Sequence, residues 1–423
     1  MDPVEAHLAR VLAAIRPIEP ARLALEEALG AVLATDAVAM SALPSFDNSS
    51  MDGYAVHAAD IATATSEAPV NLPVTDQIPA GDTRAVTVAP GTCVRIMTGA
   101  LFPAGADAVV PVEWTDGGTG QARFSRPVAK DYSIRRIGDD VAEGTVLLPE
   151  GTRLGPAQLA LLAATGHGSV LARGAPRVAV IATGNELSEP GTPLVPGQIW
   201  ESNTYMLAAA VRQAGGTATR HRAADDPETL LALIAELSAG ADLLITSGGV
   251  SMGGEHDVVK AALSGSGPPS GSGPPAGSGS SAGTGAPAAT ITFRKVALQP
   301  GMPQGFGVVG PGQTPILTLP GNPVSAFVSF CLFGRPAMDA LQGLAPRPLP
   351  VRRAQLAAPV SSPPGRRSYL RGVLGPDGAM VTPLTGQGSH QLGALARANA
   401  LIVVPEGVVS MEAGESADVI SLP

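Results

Sequence analysis

Three short loops carry the residue types from which an anion site is built. They are Thr183-Gly184-Asn185-Glu186, Ser247-Gly248-Gly249-Val250-Ser251 and Leu319-Pro320-Gly321-Asn322-Pro323, and each follows an apolar, β-branched run. Glycine lets backbone N–H groups approach an anion closely, and a helix starting at such a loop adds its positive end. Glu186, Asp242 and Asp257 are the carboxylates expected along the same rim, where their oxygens would suit a hard cation such as Mg²⁺. One such loop decides nothing; three on one rim point to a phosphate site. The chain has no Gly-x-x-x-x-Gly-Lys-Ser/Thr run, so an ordinary P-loop ATPase is excluded.

Other constellations have plainer readings beside the functional ones. Gly249-Val250-Ser251-Met252-Gly253 matches the nucleophile elbow of serine hydrolases, and Asp339 and His390 follow in hydrolase order. No His-Gly-Gly-Gly oxyanion loop accompanies them, and His390 falls in a β-rich tail, so Ser251 as a hydrolase nucleophile is a remote alternative. Residues 44–55, Pro-Ser-Phe-Asp-Asn-Ser-Ser-Met-Asp-Gly-Tyr-Ala, have the composition of turns. Residues 133–140 set Arg135 and Arg136 beside Asp139 and Asp140, which reads as a solvated charge cluster or as a second functional segment. The six histidines show no metal-ligand spacing. Cys93 and Cys331 read as small core residues, too few for a disulfide framework.

Positioning the three loops requires strands and helices in alternation. Residues 177–181, 217–222, 242–246, 291–298 and 316–319 read as strands; 203–214, 227–237, 256–263 and 324–338 read as helices. That order implies a parallel, doubly wound sheet, with ligands beyond the carboxyl ends of its strands. Residues 264–290 repeat Ser-Gly-Pro-Pro units without charge or large apolar side chains and read as a flexible surface insertion. Residues 51–137 are mostly β, 4–15 and 159–164 are helical, and four short β runs follow residue 348.

The segments 44–55, 77–81, 95–100, 103–110, 135–140, 183–187, 247–252, 319–325 and 386–405 resemble, in order and from end to end, the molybdopterin molybdenumtransferases, the family of bacterial MoeA and the gephyrin E domain. The resemblance implies an α/β multidomain protein. A discontinuous N-terminal domain (1–44 with 141–173) would hold an inserted β module (45–140). A Rossmann-like molybdopterin-binding domain (174–344) and a C-terminal β-barrel (345–423) would follow. It implies Mg²⁺-dependent insertion of molybdenum from molybdate into adenylylated molybdopterin, with release of AMP. It further implies a homodimer whose active site lies between subunits. By matching position the catalytic carboxylates would be Asp52, Asp140, Glu186, Asp242 and Asp257. The last three would hold metal; Asp52 and Asp140 would orient water or act as general base across the interface. The glycine loops, with Thr183, Val250, Ser251 and Pro320 to Pro323, would bind the pterin substrate. An adenylylating enzyme and apo-molybdoenzymes are the implied partners. Where many members carry Lys-Pro-Gly-Lys-Pro this chain has Gln299-Pro300-Gly301-Met302-Pro303, with Arg294 and Lys295 as the nearest cations in sequence. The missing lysines leave room for a second reading, a pterin-binding scaffold without efficient molybdenum insertion.

Composition narrows the classes further. Apolar residues at 45 % can build sizeable cores, while net charge −9 and 3 % aromatics argue against nucleic acid as a partner. The sequence shows neither an export signal nor a continuous apolar run of membrane-span length, so the expectation is a cytoplasmic protein without a membrane partner.

Overall fold

Runs of buried β-branched residues build the sheet that positions the three loops. The computed structural model describes residues 1–249, 259, 262–263, 290–347 and 349–422. They fall into two units: Met1–Ala21, Gly30–Val32 and Arg173–Pro423 form the larger, Arg22–Leu29 and Leu33–Ala172 the smaller.

The central sheet of the larger unit has six strands: β1 Arg177–Thr183, β2 Thr217–Ala223, β3 Leu243–Ser247, β4 Thr290–Lys295, β5 Pro303–Val309 and β6 Thr314–Leu319. Their spatial order is β2-β1-β3-β6-β5-β4. The first four in that order run parallel. Strands covered on both faces need near-continuous apolar runs, and β3 and β6 are buried throughout. Side-chain alternation assigns the faces. Val178 and Val180 pack with Leu207 and Val211 of helix α1, Asn203–Gln213. Ala179 and Ile181 pack with Leu230 and Ile234 of helix α2, Pro227–Ser238. At the start of α2, Asp226 accepts a hydrogen bond from Thr229 N at 2.8 Å.

The expected parallel sheet thus holds for β2, β1, β3 and β6, but β5 runs antiparallel to both its neighbours and had no counterpart in the sequence pattern. Gly305 and Gly307 hide it. A Cβ on Gly305 would lie 2.0 Å from Thr318 Oγ1, and one on Gly307 2.1 Å from Thr290 O. Close packing selects glycine where strand propensity sees a break.

After β6, helix α3, Pro323–Ser329, continues through a wide turn at Phe330–Gly334 into the helix Arg335–Leu341. The stretch Pro323–Leu341 is long and apolar enough to cross a membrane by length and composition, but it carries Arg335 and Asp339 and is 78 % buried inside the protein as a core helix. The strands Val351–Leu356, Arg367–Leu374, Met380–Pro383, Ala400–Val404 and Ser416–Ser421 pair in a closed ring, the expected C-terminal barrel. The first helix, Val4–Ala13, sits in the larger unit, where Val4 packs with Val296, Val324 and Phe333. Met1–Ala21 is therefore not grouped with 141–173, because the apolar face of that helix completes a core elsewhere.

In the smaller unit five strands pair in the order Ala108–Pro111, Gly53–Val56, Cys93–Ile96, Val70–Ile78, Gln121–Phe124, around Tyr54, Val56, Ile61 and Phe124. The helix Pro156–Ala164 follows. Cys93 and Cys331 are buried core residues, as expected, and burial pushes each thiol up to about 12.

Candidate functional site

β1, β2, β3 and β6 end side by side, and a cleft of about 710 Å³ opens beyond their carboxyl ends. Thr183, Gly184 and Glu186 line it from the end of β1 and the loop after it, and Ser247, Gly248 and Gly249 from the end of β3 and the loop after it. Pro320, Gly321, Asn322 and Pro323 contribute from the loop after β6. All ten were expected at the rim. Gly248 has φ +103°, and a Cβ there would sit 3.2 Å from Thr183 O, so the β1 and β3 loops meet backbone to backbone.

Side chains then lock the loops together. Asn203, at the start of α1, donates from Nδ2 to Ser247 Oγ at 2.9 Å and to Gly321 O at 2.6 Å. Gly248 N donates to Leu319 O at 3.1 Å. Asn322 Nδ2 donates to Ser389 Oγ at 2.9 Å and Val324 N to Ser389 O at 3.1 Å, so a barrel loop carries His390 and Leu392 to the rim. Behind that loop Arg371 is wholly buried: its Nη2 donates to Gly386 O at 2.6 Å and Gly388 O at 3.0 Å. Its Nε and Nη1 have no hydrogen-bond partner among the described residues, and burial lowers its proton affinity.

Asp242 is not at the rim. It precedes β3 rather than following it, so the strand, roughly 15 Å long, separates it from the cleft. There its carboxylate accepts from Arg177 N at 2.7 Å, Nε at 3.1 Å and Nη2 at 2.9 Å. Two further carboxylates line the cleft with Glu186: Asp225, after β2, and Glu201, whose oxygens accept from Thr204 N and Oγ1. Asn185 N donates to Asp225 Oδ2 at 3.1 Å, and Asp225 N to Asn185 Oδ1 at 3.2 Å. The rule that located the other loops, applied to β2, would have found it. Trp200, Glu201 and Asn203, also missed, line the cleft from the start of α1 and the strand before it. Val250, Ser251 and Asp257 lie outside the described residues, as does most of 264–290. Asp339 is buried and ion-paired to Arg347 at 3.0 Å, so it is committed elsewhere than a Ser251 triad. Among the described residues no three His, Cys, Asp or Glu side chains cluster to hold a metal unaided.

Asp52 and Asp140 are exposed in the smaller unit. Thr98 donates to Asp52 Oδ1 from its backbone N at 2.7 Å and its hydroxyl at 2.8 Å, holding that carboxyl below its ordinary range. The two motifs of this unit run side by side. Ile134 pairs with Ser49 and Arg135 with Asn48, while Asp47 accepts from Arg136 Nη1 at 2.7 Å and Ile137 N at 2.8 Å. At the position of a missing lysine, Gln299 Oε1 accepts from Arg366 Nη1 at 3.1 Å; Arg294 is paired with Asp2 at 3.6 Å.

Glycine loops, lining carboxylates and a converging barrel loop at the open end of four parallel strands define an α/β protein built to take an anionic small molecule. Comparison with known proteins makes the class particular. Family models match in succession: the MoeA N-terminal region (domain I and II) over residues 2–166, a probable molybdopterin binding domain over 179–340, and the MoeA C-terminal region (domain IV) over 353–422. The chain is 45 % identical over 418 residues to molybdopterin molybdenumtransferase 2 of Mycobacterium tuberculosis, covering 98 % of both. It is 34 % identical to the Bacillus subtilis molybdopterin molybdenumtransferase, covering 99 % of this chain and 93 % of that one. The crystal structure of the molybdopterin biosynthesis moea protein from Pyrococcus horikosii superposes with TM-score 0.78 at 30 % identity, covering 99 % of this chain and 98 % of that one. This chain belongs to the molybdopterin molybdenumtransferase family, transferases of molybdenum cofactor biosynthesis.

Proposed function

We propose that this chain inserts molybdenum from molybdate into adenylylated molybdopterin with Mg²⁺-dependent release of AMP. The observation that carries the reading is the cleft itself, where three glycine loops and the carboxylates of Glu186 and Asp225 surround a volume suited to a pterin nucleotide. Mg²⁺ usually takes one or two carboxylates and completes its shell with substrate phosphates and water, so Glu186 and Asp225 are a fitting donor set. Bound there, the ion would neutralise the pyrophosphate and polarise the bond that breaks. The chain's own residues do the rest. Thr183, Gly184 and Gly248 bring backbone close to the phosphates, and Asn203 keeps the β3 and β6 loops in register.

The reading extends to a cytoplasmic homodimer with the site between subunits. Asp52, kept ionised by Thr98, then acts with Asp140 from one subunit on the cleft of the other, orienting water or serving as general base. An adenylylating enzyme would supply the substrate and apo-molybdoenzymes would receive the product. Gln299 and Met302 favour a second reading, a pterin-binding scaffold, against which Arg366 beside Gln299 restores one cation.

The test is AMP release from purified protein given adenylylated molybdopterin, Mg²⁺ and molybdate, coupled to activation of an apo-molybdoenzyme. Molybdate-dependent release with activation is expected. Tight pterin binding without AMP release would transfer the conclusion to the scaffold.

A further inference from the structure

Trp200 ends the two-residue strand Ile199–Trp200, which pairs with Leu187–Ser188. Both sides of that pairing are pinned: Ile199 N donates to Glu186 O at 2.8 Å and Glu201 N to Ser188 O at 2.8 Å. The side chain lines the same cleft as Glu186 and Asp225, yet remains 53 % exposed. Its Nε1–H is already engaged, donating to Thr192 O at 2.9 Å. With the polar handle satisfied inside the loop, what Trp200 leaves exposed is aromatic surface.

Among the described residues no ring or guanidinium stacks on Trp200, whereas the other tryptophan, Trp114, stacks on Tyr132 and carries Arg126 over its ring. A held backbone, a satisfied N–H and an uncovered π surface inside a polar cleft make a stacking platform for a flat heterocycle. Register supports the fit. Trp200 is opposite Ser188, two residues on from Glu186, or roughly 7 Å along extended chain, so a ring on Trp200 leaves its phosphate within reach of Glu186 and Gly184.

We propose that Trp200 is a binding residue that stacks on a planar nitrogen heterocycle of the substrate, purine or pterin, and makes the cleft prefer ring-bearing over ring-free phosphates. The proposal rests on the reading of this cleft as the site for adenylylated molybdopterin.

Calorimetric titration of the wild-type chain, Trp200→Ala and Trp200→Phe with AMP, neopterin monophosphate and ribose 5-phosphate tests it. Trp200→Ala should weaken at least one ring-bearing probe by about 10-fold or more, and the probe affected tells purine from pterin. Trp200→Phe should restore affinity to within about 3-fold, and ribose 5-phosphate should bind all three proteins alike. Ring-bearing probes that bind wild type and Trp200→Ala equally would overturn the stacking while leaving the reading of the cleft intact. Equal weakening of ribose 5-phosphate would also overturn it, since Trp200 would then only shape the loop. A wild-type cleft that takes neither ring-bearing probe would bring down the reading of the cleft and the proposal together.

Discussion

Asp242 and Asp225 stand at opposite ends of the parallel strands of one sheet, and that difference should separate stability from chemistry. Asp242 accepts three hydrogen bonds from Arg177, with its side chain 14 % exposed and that of Arg177 63 % exposed. Solvent screening at Arg177 discounts the pair, so Asp242→Ala should cost about 1–2 kcal/mol of stability and leave activity per folded molecule unchanged. Glu186→Gln and Asp225→Asn should do the reverse, lowering turnover by roughly 100-fold or more with little change in melting temperature. Melting curves and AMP release on all three variants check this; a dead Asp242→Ala that still folds would refute it. His7 gives a second residue-scale prediction. It is buried edge-on to Phe333 with ring centroids 4.7 Å apart, and its Nε2 has no partner among the described residues. Burial pushes its pKa down to about 4; Arg10 and Arg294 act in the same direction and Asp2 against it. The folded state thus refuses a proton that the unfolded chain accepts near pH 6.5. Stability is complete above about pH 6.5 and falls as pH drops toward 4, by about 2 kcal/mol at about pH 5. Urea denaturation at about pH 7.5 and about pH 5 should show that loss in wild type and much less of it in His7→Leu. An identical loss in the variant would remove His7 from the account.

At the scale of elements, the loop after β3 has little room to change. Gly249 has φ +69°, and a Cβ there would lie 2.3 Å from Val259 Cγ2. Gly249→Ala should therefore cost about 1–3 kcal/mol and raise KM for the substrate, because the loop must leave Thr183 and Gly321 to relieve the clash. Gly240, whose Cβ would meet nothing within 4 Å, is the control, and Gly240→Ala should be close to neutral on both counts. A silent Gly249→Ala would mean the loop tolerates displacement. The same elements show why some of the molecule was legible in its sequence. β1, β3 and β6 are buried, mostly apolar runs with glycine one or two residues beyond, so both the strand and its ligand loop are marked. The loop after β2 follows the same rule but carries no glycine, and Asp225 passed unnoticed. β5 was lost because its glycines answer to neighbouring strands far along the chain. Arg371 was lost because its burial exists only once the barrel ring has closed around it. Local pattern reports what a segment does to itself; these features are made by segments distant in sequence.

At the scale of the whole molecule, the candidate carboxylates are divided between the two units. Asp52 and Asp140 belong to the smaller unit, Glu186 and Asp225 to the larger. In the proposed homodimer each active site takes Asp52 from one subunit and Glu186 from the other, which makes a mixed dimer diagnostic. Asp52→Ala and Glu186→Gln homodimers should each be inactive. In a heterodimer of the two, one site collects both defects and the other collects neither. Chains mixed at random form heterodimers in about half of all pairs, each with one working site, so recovered activity should approach about a quarter of wild type. If instead each site is built within one chain, every chain in the mixture carries a defect and nothing is recovered. Co-expression of differently tagged variants, purification of the doubly tagged dimer and AMP release would decide it. About half of wild-type activity in that purified heterodimer is the expected result. Activity no higher than the single-variant homodimers would place the reaction within one chain and remove Asp52 from the partner's cleft.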